Sequence, residues 1–447
     1  MLVLTNAKVF DGREMLPGRR EVTLDGDRIT SVTAVSGPVS GPVSGEVIDV
    51  GGMTLMPGLI TCHLHPDFYK FDIFAGEKPG KELPPGVMMA IGVRTCRVLL
   101  ESGFTGYAGA SCAHDIDVQL KMAIAEDIIP GPRIRACGHH IGTTGDMNNK
   151  SRWWKRYETP GTDLCVDGPD ALRALVRQEL SHGVETIKIF AGAGHGIPDR
   201  TTRNMSRDEI ASIVTTAHER GAMVRAHVAD KRMILECVEL GVDIIDHGDE
   251  VDEECIRAMV DAGTFWVPSL VYLWSLFEVG YAARSGVTRA QYDHVRAMLP
   301  VAQRAGVRIL IGDDYSGVFR DMLKDDPLDH QVGNYGREFA FYGEIDGLSP
   351  AEILGWGTRN AGRLLVDPPA TVGVIEPRAL ADLIIVDGDP LADLSLLARP
   401  DEALKAVIRD GALVIDRLGA RRNPTAARPR HPDIGNRRTG RPQAEER

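Results

Sequence analysis

The sequence has no Cys-x-x-Cys pair, and its seven cysteines (Cys62, Cys96, Cys112, Cys137, Cys165, Cys237 and Cys255) are scattered. An odd, dispersed set excludes a disulfide framework and reads as reduced core thiols in a cytoplasmic protein. No apolar run approaches the ~20 residues of a membrane span. The N-terminal Met1-Leu2-Val3-Leu4-Thr5-Asn6-Ala7-Lys8 lacks the basic, apolar and small-residue order of a signal peptide. Positive charge is not in excess either: the net charge is −12, which argues against a nucleic-acid surface. What is present is a chain of 447 residues, too long for one small core. Its hydrophobic share of 43% and charged share of 26% are those of a soluble globular protein. Length alone allows about three domains, or fewer if one is a barrel of ~250 residues.

The chain reads in three stretches and a tail. Residues 1–56 hold short β-like runs such as Glu21-Val22-Thr23-Leu24 and Val47-Ile48-Asp49-Val50, separated by Gly, Pro and Asp. Between them the tandem repeat from Gly37 to Gly45 reads as a surface loop. From 57 to 366, apolar runs alternate with helical patterns. The runs include Thr186–Phe190, Met223–His227, Asp243–His247, Thr264–Pro268 and Val307–Gly312. The helical patterns include Pro169–His182, Ser206–Arg220, Lys231–Leu240 and Asp252–Ala262. Asp170 and Ser206 are candidate helix caps, and Gly183, Gly221, Gly241 and Gly263 stand where helices should stop. About eight such units fit the length, so the expected fold is α/β, a (β/α)8 TIM barrel. From 367 to 420 the β-like runs return and are expected to pair with residues 1–56 as one small β-sandwich domain. Residues 421–447, rich in Arg and Pro without periodicity, read as a basic flexible tail.

The polar residues at strand ends carry the chemistry. In Met56-Pro57-Gly58-Leu59-Ile60-Thr61-Cys62-His63-Leu64-His65, strand alternation puts His63 and His65 on one face. Two imidazoles there can chelate a borderline-soft cation such as zinc. Cys62 should face away and serve the core. Lys188 sits inside an apolar strand, where a lysine is costly to bury without a special task. His227 and His247 end later strands, and Asp314 follows Leu310-Ile311-Gly312. Singly, each has a plainer reading as a hydrogen-bonded core residue, a rim lysine or a cap. Together they are six ligand-type residues at the carboxyl ends of predicted strands, the face where barrel enzymes place their sites.

The order His-x-His, Lys, His, His, Asp resembles the amidohydrolase superfamily, in its binuclear-metal branch. Leu4–Gly12, the Met56–His65 motif and Ala381-Asp382-Leu383-Ile384-Ile385-Val386-Asp387-Gly388-Asp389-Pro390-Leu391 resemble the family's opening, first-strand and closing segments. Gly131-Pro132-Arg133-Ile134, Ile187–Gly194, Gly333-Asn334 and Glu338 resemble the imidazolonepropionase-like and Xaa-Pro or Xaa-Arg dipeptidase-like members. The resemblance implies two divalent metal ions, zinc first, with manganese, iron or cobalt as alternatives. His63, His65 and Asp314 would hold the more buried ion, and His227 and His247 the second. Lys188 would bridge both as a CO2-derived carbamate, for which burial favours the neutral amine. A metal-bridging hydroxide would attack the scissile carbonyl, with Asp314 as general acid and base. The sequence departs from the pattern at Gly312-Asp313-Asp314, where the family has Gly-Thr-Asp. Asp146 stands where dipeptidase-like members carry a histidine, and Arg378 replaces a glycine.

The loops suggest a small organic substrate with a flat or apolar part. Tyr69 lies in the first loop, and His139, His140, Asp146, Arg152, Trp153 and Trp154 in or near the third. His195 follows in the fourth, and Tyr272 with Trp274 in the seventh. His140 and His195 are candidate donors to the substrate carbonyl or carboxylate. The expected function is hydrolysis of an amide, cyclic amide or N-acyl amino acid-like C–N bond. A mononuclear deaminase, an ester or lactone hydrolase and a non-catalytic scaffold are the alternatives. A homo-oligomer would be unsurprising in this family.

Overall fold

A computed structural model describes residues 1–35, 45–68, 83–145, 163–192, 203–278, 287–312, 314 and 335–419. The Gly37–Gly45 repeat lies almost wholly outside these residues. Tyr69, Asp146, Arg152, Trp153, Trp154, Gly194, His195, Asp313, Gly333, Asn334 and the tail from 421 lie entirely outside them. The chain opens with β1 (Leu2–Val9), β2 (Arg20–Asp25), β3 (Arg28–Ala34), β4 (Glu46–Asp49) and β5 (Thr54–Pro57). The middle carries β6 (Leu59–Leu64), β7 (Phe104–Gly109), β8 (Arg133–Arg135), β9 (His140–Gly142) and β10 (Asp163–Cys165). It continues with β11 (Thr186–Phe190), β12 (Met223–Val228), β13 (Ile244–His247), β14 (Phe265–Val267) and β15 (Arg308–Ile309). The last strands are β16 (Leu383–Val386), β17 (Leu404–Arg409) and β18 (Ala412–Asp416). Helices α1 (Pro85–Glu101), α2 (Ile116–Ala125), α3 (Pro169–His182) and α4 (Arg207–His218) lie between the middle strands, as do α5 (Lys231–Glu239), α6 (Glu253–Ala262), α7 (Leu270–Glu278) and α8 (Arg289–Ala305).

Both chain ends enter one eight-stranded sheet, in the order β18-β17-β16-β5-β1-β2-β3 with β4 added beside β1. The register of β1 shifts between Leu4 and Ala7, where Asn6 takes a left-handed φ of 59°. On one side β1 pairs with β2 throughout; on the other it pairs with β4 before the shift and with β5 after it. Strand alternation divides β16 between two cores. Leu383 and Ile385 join the core shared with Leu4, Val22, Ile48 and Leu55, while Ile384 and Val386 join the main core.

The middle strands are parallel. One sheet runs β6-β7-β8 and the other β10-β9-β11-β12-β13-β14-β15. Every residue of β6, β7, β11 and β13 is buried, as parallel strands covered on both faces require. Backbone bonds join the two sheets at both sides: Cys62 N–H donates to the Ile311 carbonyl at 2.7 Å, and Thr186 N–H to the Ala136 carbonyl at 3.1 Å. The short strands β9 and β10 are additions that periodicity did not reveal.

Local signals set the helix ends. Ser206 caps α4 in a capping box with Glu209. The cap of α3 is Gly168, not Asp170: Pro169 occupies the first helical position, which moves Asp170 into the first turn, beside the positive end of the helix dipole. Gly183 and Gly263 end α3 and α6 with φ of 104° and 71°. Gly221 and Gly241 follow the caps Glu219 and Leu240 of α4 and α5. All seven cysteines are free, and Cys62 lies fully in the core with its thiol pushed up by burial. Among the described residues no helix is long and apolar enough to cross a membrane.

Candidate metal centre

The predicted ligands gather at the ends of the parallel strands. His63 is next to last in β6, and His65 lies just beyond it. Lys188 is the central residue of β11, His227 is next to last in β12, and His247 is last in β13. His247 and Asp314 both adopt left-handed backbone, with φ of 68° and 52°. Such residues persist only where their surroundings hold them, and they concentrate at functional sites.

Asp314 is the point of convergence. Its Oδ1 lies 3.0 Å from His65 Nε2 and 3.3 Å from His63 Nε2, and its Oδ2 lies 3.9 Å from His247 Nε2. His63, His247 and Asp314 offer ligand atoms all within 4.8 Å of one another. The His227 ring stands 4.5 Å from that of His247 and stacks on Phe190 at 4.5 Å.

Hydrogen bonds set the tautomers. His65 Nδ1 lies 2.8 Å from the Ser111 carbonyl, which accepts a proton and never gives one. The proton is therefore on Nδ1, and the Nε2 lone pair faces Asp314. Ser269 Oγ donates to the Gly312 carbonyl at 2.8 Å and so accepts from His63 Nδ1 at 3.2 Å. Burial pushes His63 down to about 4 against the carboxylates around it, so the neutral ring aims a second lone pair at Asp314. Two imidazole lone pairs and a carboxylate directed at one another are acceptors in need of a cation. The donor set therefore fits a divalent metal, with Ser111, Ser269 and Asp246 orienting the rings.

Beneath the ligands lies a buried ionic network. Lys188 Nζ bonds to Asp246 Oδ2, and Asp246 Oδ1 lies 3.5 Å from His63 Nδ1. Arg225 grips the same carboxylate with both arms, Nε to Oδ2 at 3.0 Å and Nη2 to Oδ1 at 2.6 Å. Burial lowers the Lys188 pKa despite the Asp246 charge. Burial would raise Asp246, but Arg225 and Lys188 hold it far below its ordinary value. Sequence reasoning missed Arg225 and Asp246. The signal was available: both are charged residues inside apolar strands, the criterion that drew attention to Lys188.

The remaining candidates divide. His140 is in register with Lys188 on the neighbouring strand, with Nδ1 3.4 Å from Ser111 Oγ and Nε2 2.5 Å from Asp163 Oδ1. Tyr272 is buried with its ring 6.1 Å from His247, and burial, reinforced by Asp314, raises its phenol well above 10. Trp274 packs instead on Phe341 at 6.2 Å. His139, read from sequence as a substrate contact, has both ring nitrogens committed to protein. Nδ1 faces Glu179 at 3.0 Å and Asp115 at 3.2 Å, and Nε2 accepts from His114 N–H at 3.2 Å. Asp115, His139 and Glu179 also gather within 4.8 Å. There, however, Nδ1 carries a proton toward the two carboxylates and Nε2 accepts from His114, so the ring has no lone pair left for a metal.

Known proteins resemble this chain over most of its length. The profile described as Amidohydrolase family matches residues 54–414. An uncharacterized protein of Mycobacterium tuberculosis (strain ATCC 25618 / H37Rv) is 26% identical over 359 residues, covering 78% of this chain and 83% of that protein. The crystal structure of a prolidase complexed with N-methylphosphonate-L-proline matches with TM-score 0.78 and 28% identity, covering 93% of this chain and 99% of that one. A Xaa-Pro dipeptidase with bound methionine in its active site matches with TM-score 0.78 and 25% identity, over 92% of this chain and 99% of that one.

Proposed function

Because the chain belongs to the amidohydrolase family, we propose that it is a cytoplasmic hydrolase of C–N bonds in small organic molecules and works with two divalent metal ions. The observation that carries this reading is the aim of two imidazole lone pairs at the Asp314 carboxylate. In this reading the parallel strands close as a (β/α)8 barrel, with the ligands at its carboxyl mouth. His63, His65 and Asp314 would hold one ion and His227 and His247 the other. Lys188, once carboxylated by CO2, would offer an anionic oxygen ligand to them. Zinc suits imidazole and carboxylate donors best, with manganese, iron and cobalt as alternatives. When bound, the metals supply Lewis acidity and lower the pKa of a water.

The residues of the chain do the rest. Asp314 takes the proton of the attacking water and delivers it to the leaving nitrogen. Tyr272 stands at the edge of the centre, where its hydroxyl can donate to a substrate oxygen, and His140 can do the same once Nε2 exchanges Asp163 for substrate; His195, Tyr69, Asp146 and Trp154 belong to the loops of the same reading. The similar structures named as a prolidase and a Xaa-Pro dipeptidase favour a dipeptide or N-acyl amino acid among amides and cyclic amides.

The test is metal per chain, by elemental analysis of protein grown with zinc or manganese and bicarbonate, followed by a screen of these substrates. About two metals with turnover is the expected result. Lys188→Ala should lower both metal and turnover, and Asp314→Asn should remove most turnover from a folded protein. About one metal would favour a mononuclear deaminase. None after reconstitution would leave a scaffold.

A further inference from the structure

We propose that Asp246, clamped by Arg225, is a positioning residue that aims the Lys188 nitrogen and the His63 ring at the metal centre. The inference rests on the carbamate reading of Lys188 given above. Its basis is the way one carboxylate is divided. Asp246 is fully buried, with Oδ2 on Lys188 Nζ and Oδ1 facing His63 Nδ1 at 3.5 Å. The same two oxygens receive the two arms of Arg225. The guanidinium is itself fixed. Nη1 donates to the Gly109 carbonyl of β7 at 2.6 Å, and Nη2 to the Cys62 carbonyl of β6 at 2.9 Å. Arg225 thus ties β6, β7 and β13 to its own strand β12. The carboxylate cannot turn about its Cβ–Cγ bond without breaking contacts to both arms.

This fixed plane has a consequence for the lysine. Addition of CO2 to the neutral amine forms an N–C bond, converts one C=O bond into a carboxylate and releases one proton to solvent. The product nitrogen is planar and keeps a single N–H. With that N–H held by Asp246 Oδ2, the new carboxylate must lie on another side of the nitrogen, away from Asp246. Arg225 neutralises Asp246, so the two anions do not repel at full strength across the nitrogen. For His63, a proton kept on Nδ1 by Ser269 and Asp246 keeps Nε2 available on the side of Asp314. A pair serving only to join strands would need neither its contact with Lys188 nor its contact with His63.

The experiment compares wild type, Asp246→Asn and Arg225→Lys as full-length protein. Each is loaded with zinc and 13C-bicarbonate and followed by 13C NMR of the lysine carbamate, metal titration and circular dichroism. Asp246→Asn keeps the side-chain shape and presents an amide to Lys188. It should lose the carbamate resonance and bind metal about 10- to 100-fold more weakly, with wild-type dichroism. Arg225→Lys keeps the charge but cannot hold both oxygens, and should show a smaller loss of the same two signals. Should Asp246→Asn fail to fold, Arg225→Lys decides alone. Wild-type resonance and wild-type metal affinity in the folded variants would overturn the positioning role while leaving the carbamate reading intact. Absence of the resonance from zinc-loaded wild type would overturn the carbamate reading itself, and the inference with it.

Discussion

Gly312 stands where no side chain fits. A Cβ there would lie 2.6 Å from the His63 backbone nitrogen and 2.7 Å from His63 Cβ. Neither atom can rotate aside, so Gly312→Ala must displace His63 and should weaken metal binding about tenfold or more, read by metal titration. Full affinity would show that β6 yields. His139 gives the second prediction at this scale. Burial lowers its pKa, but Glu179 and Asp115 outweigh burial and raise it to about 10. The cation carries a proton on Nε2 as well, so it forms only when the His114 N–H gives up that nitrogen, the loss of one neutral hydrogen bond set against two carboxylates on Nδ1. A histidine with a raised folded pKa stabilises fully below its unfolded value of 6.5, and the gain disappears as pH climbs toward 10. His139→Gln should therefore unfold at a lower temperature than wild type at pH 6, with the gap narrowing at pH 10. An unchanged gap would mean that the ring is neutral throughout. Both residues show what the sequence withheld. His139 looked like a loop contact because its carboxylate partners come from 24 and 40 positions away, a pairing no local pattern carries.

At the scale of elements, legibility followed burial. Strands covered on both faces are continuous apolar runs, so β11, β12 and β13 could be read directly, and a polar residue at their ends stood out. The helices between them announced themselves by three- to four-residue spacing and by Gly183 and Gly263 at their stops. Ser206 was legible because a hydroxyl before an apolar helix has one common use; Asp170 misled because Pro169 had already taken the first turn. Strands β9 and β10 are three residues each, too short for any periodicity to register. The Arg225–Asp246 clamp joins β12 to β13 through side chains whose approach is set by sheet register, with Arg225 opposite Ile244 and His227 opposite Asp246. Ligand types at strand ends could be read one strand at a time. The groups that orient them depend on which strands are neighbours.

For the whole molecule, the centre works as a tie between distant parts of the chain. His63 belongs to β6 in the three-stranded sheet, whereas Lys188, His227 and His247 belong to three strands of the seven-stranded sheet, and Asp314 follows β15. A metal held by these ligands, as proposed, would bind the folded chain and find no such site in the unfolded one, so it would stabilise by mass action. At a free metal concentration 100 times the Kd this amounts to about 2.7 kcal/mol. Without it, the acceptors around Asp314 face one another with no cation between them. Dialysis against a chelator should therefore lower the unfolding temperature, and zinc added back in steps should raise it in proportion to the logarithm of free zinc. The dependence should be much weaker in Lys188→Ala, which has lost the residue proposed to reach both ions. Calorimetry at fixed protein concentration reads this directly. An unfolding temperature indifferent to zinc in wild type would mean that the two sheets are held together without the metal, by backbone bonds such as Cys62 to Ile311 and Thr186 to Ala136.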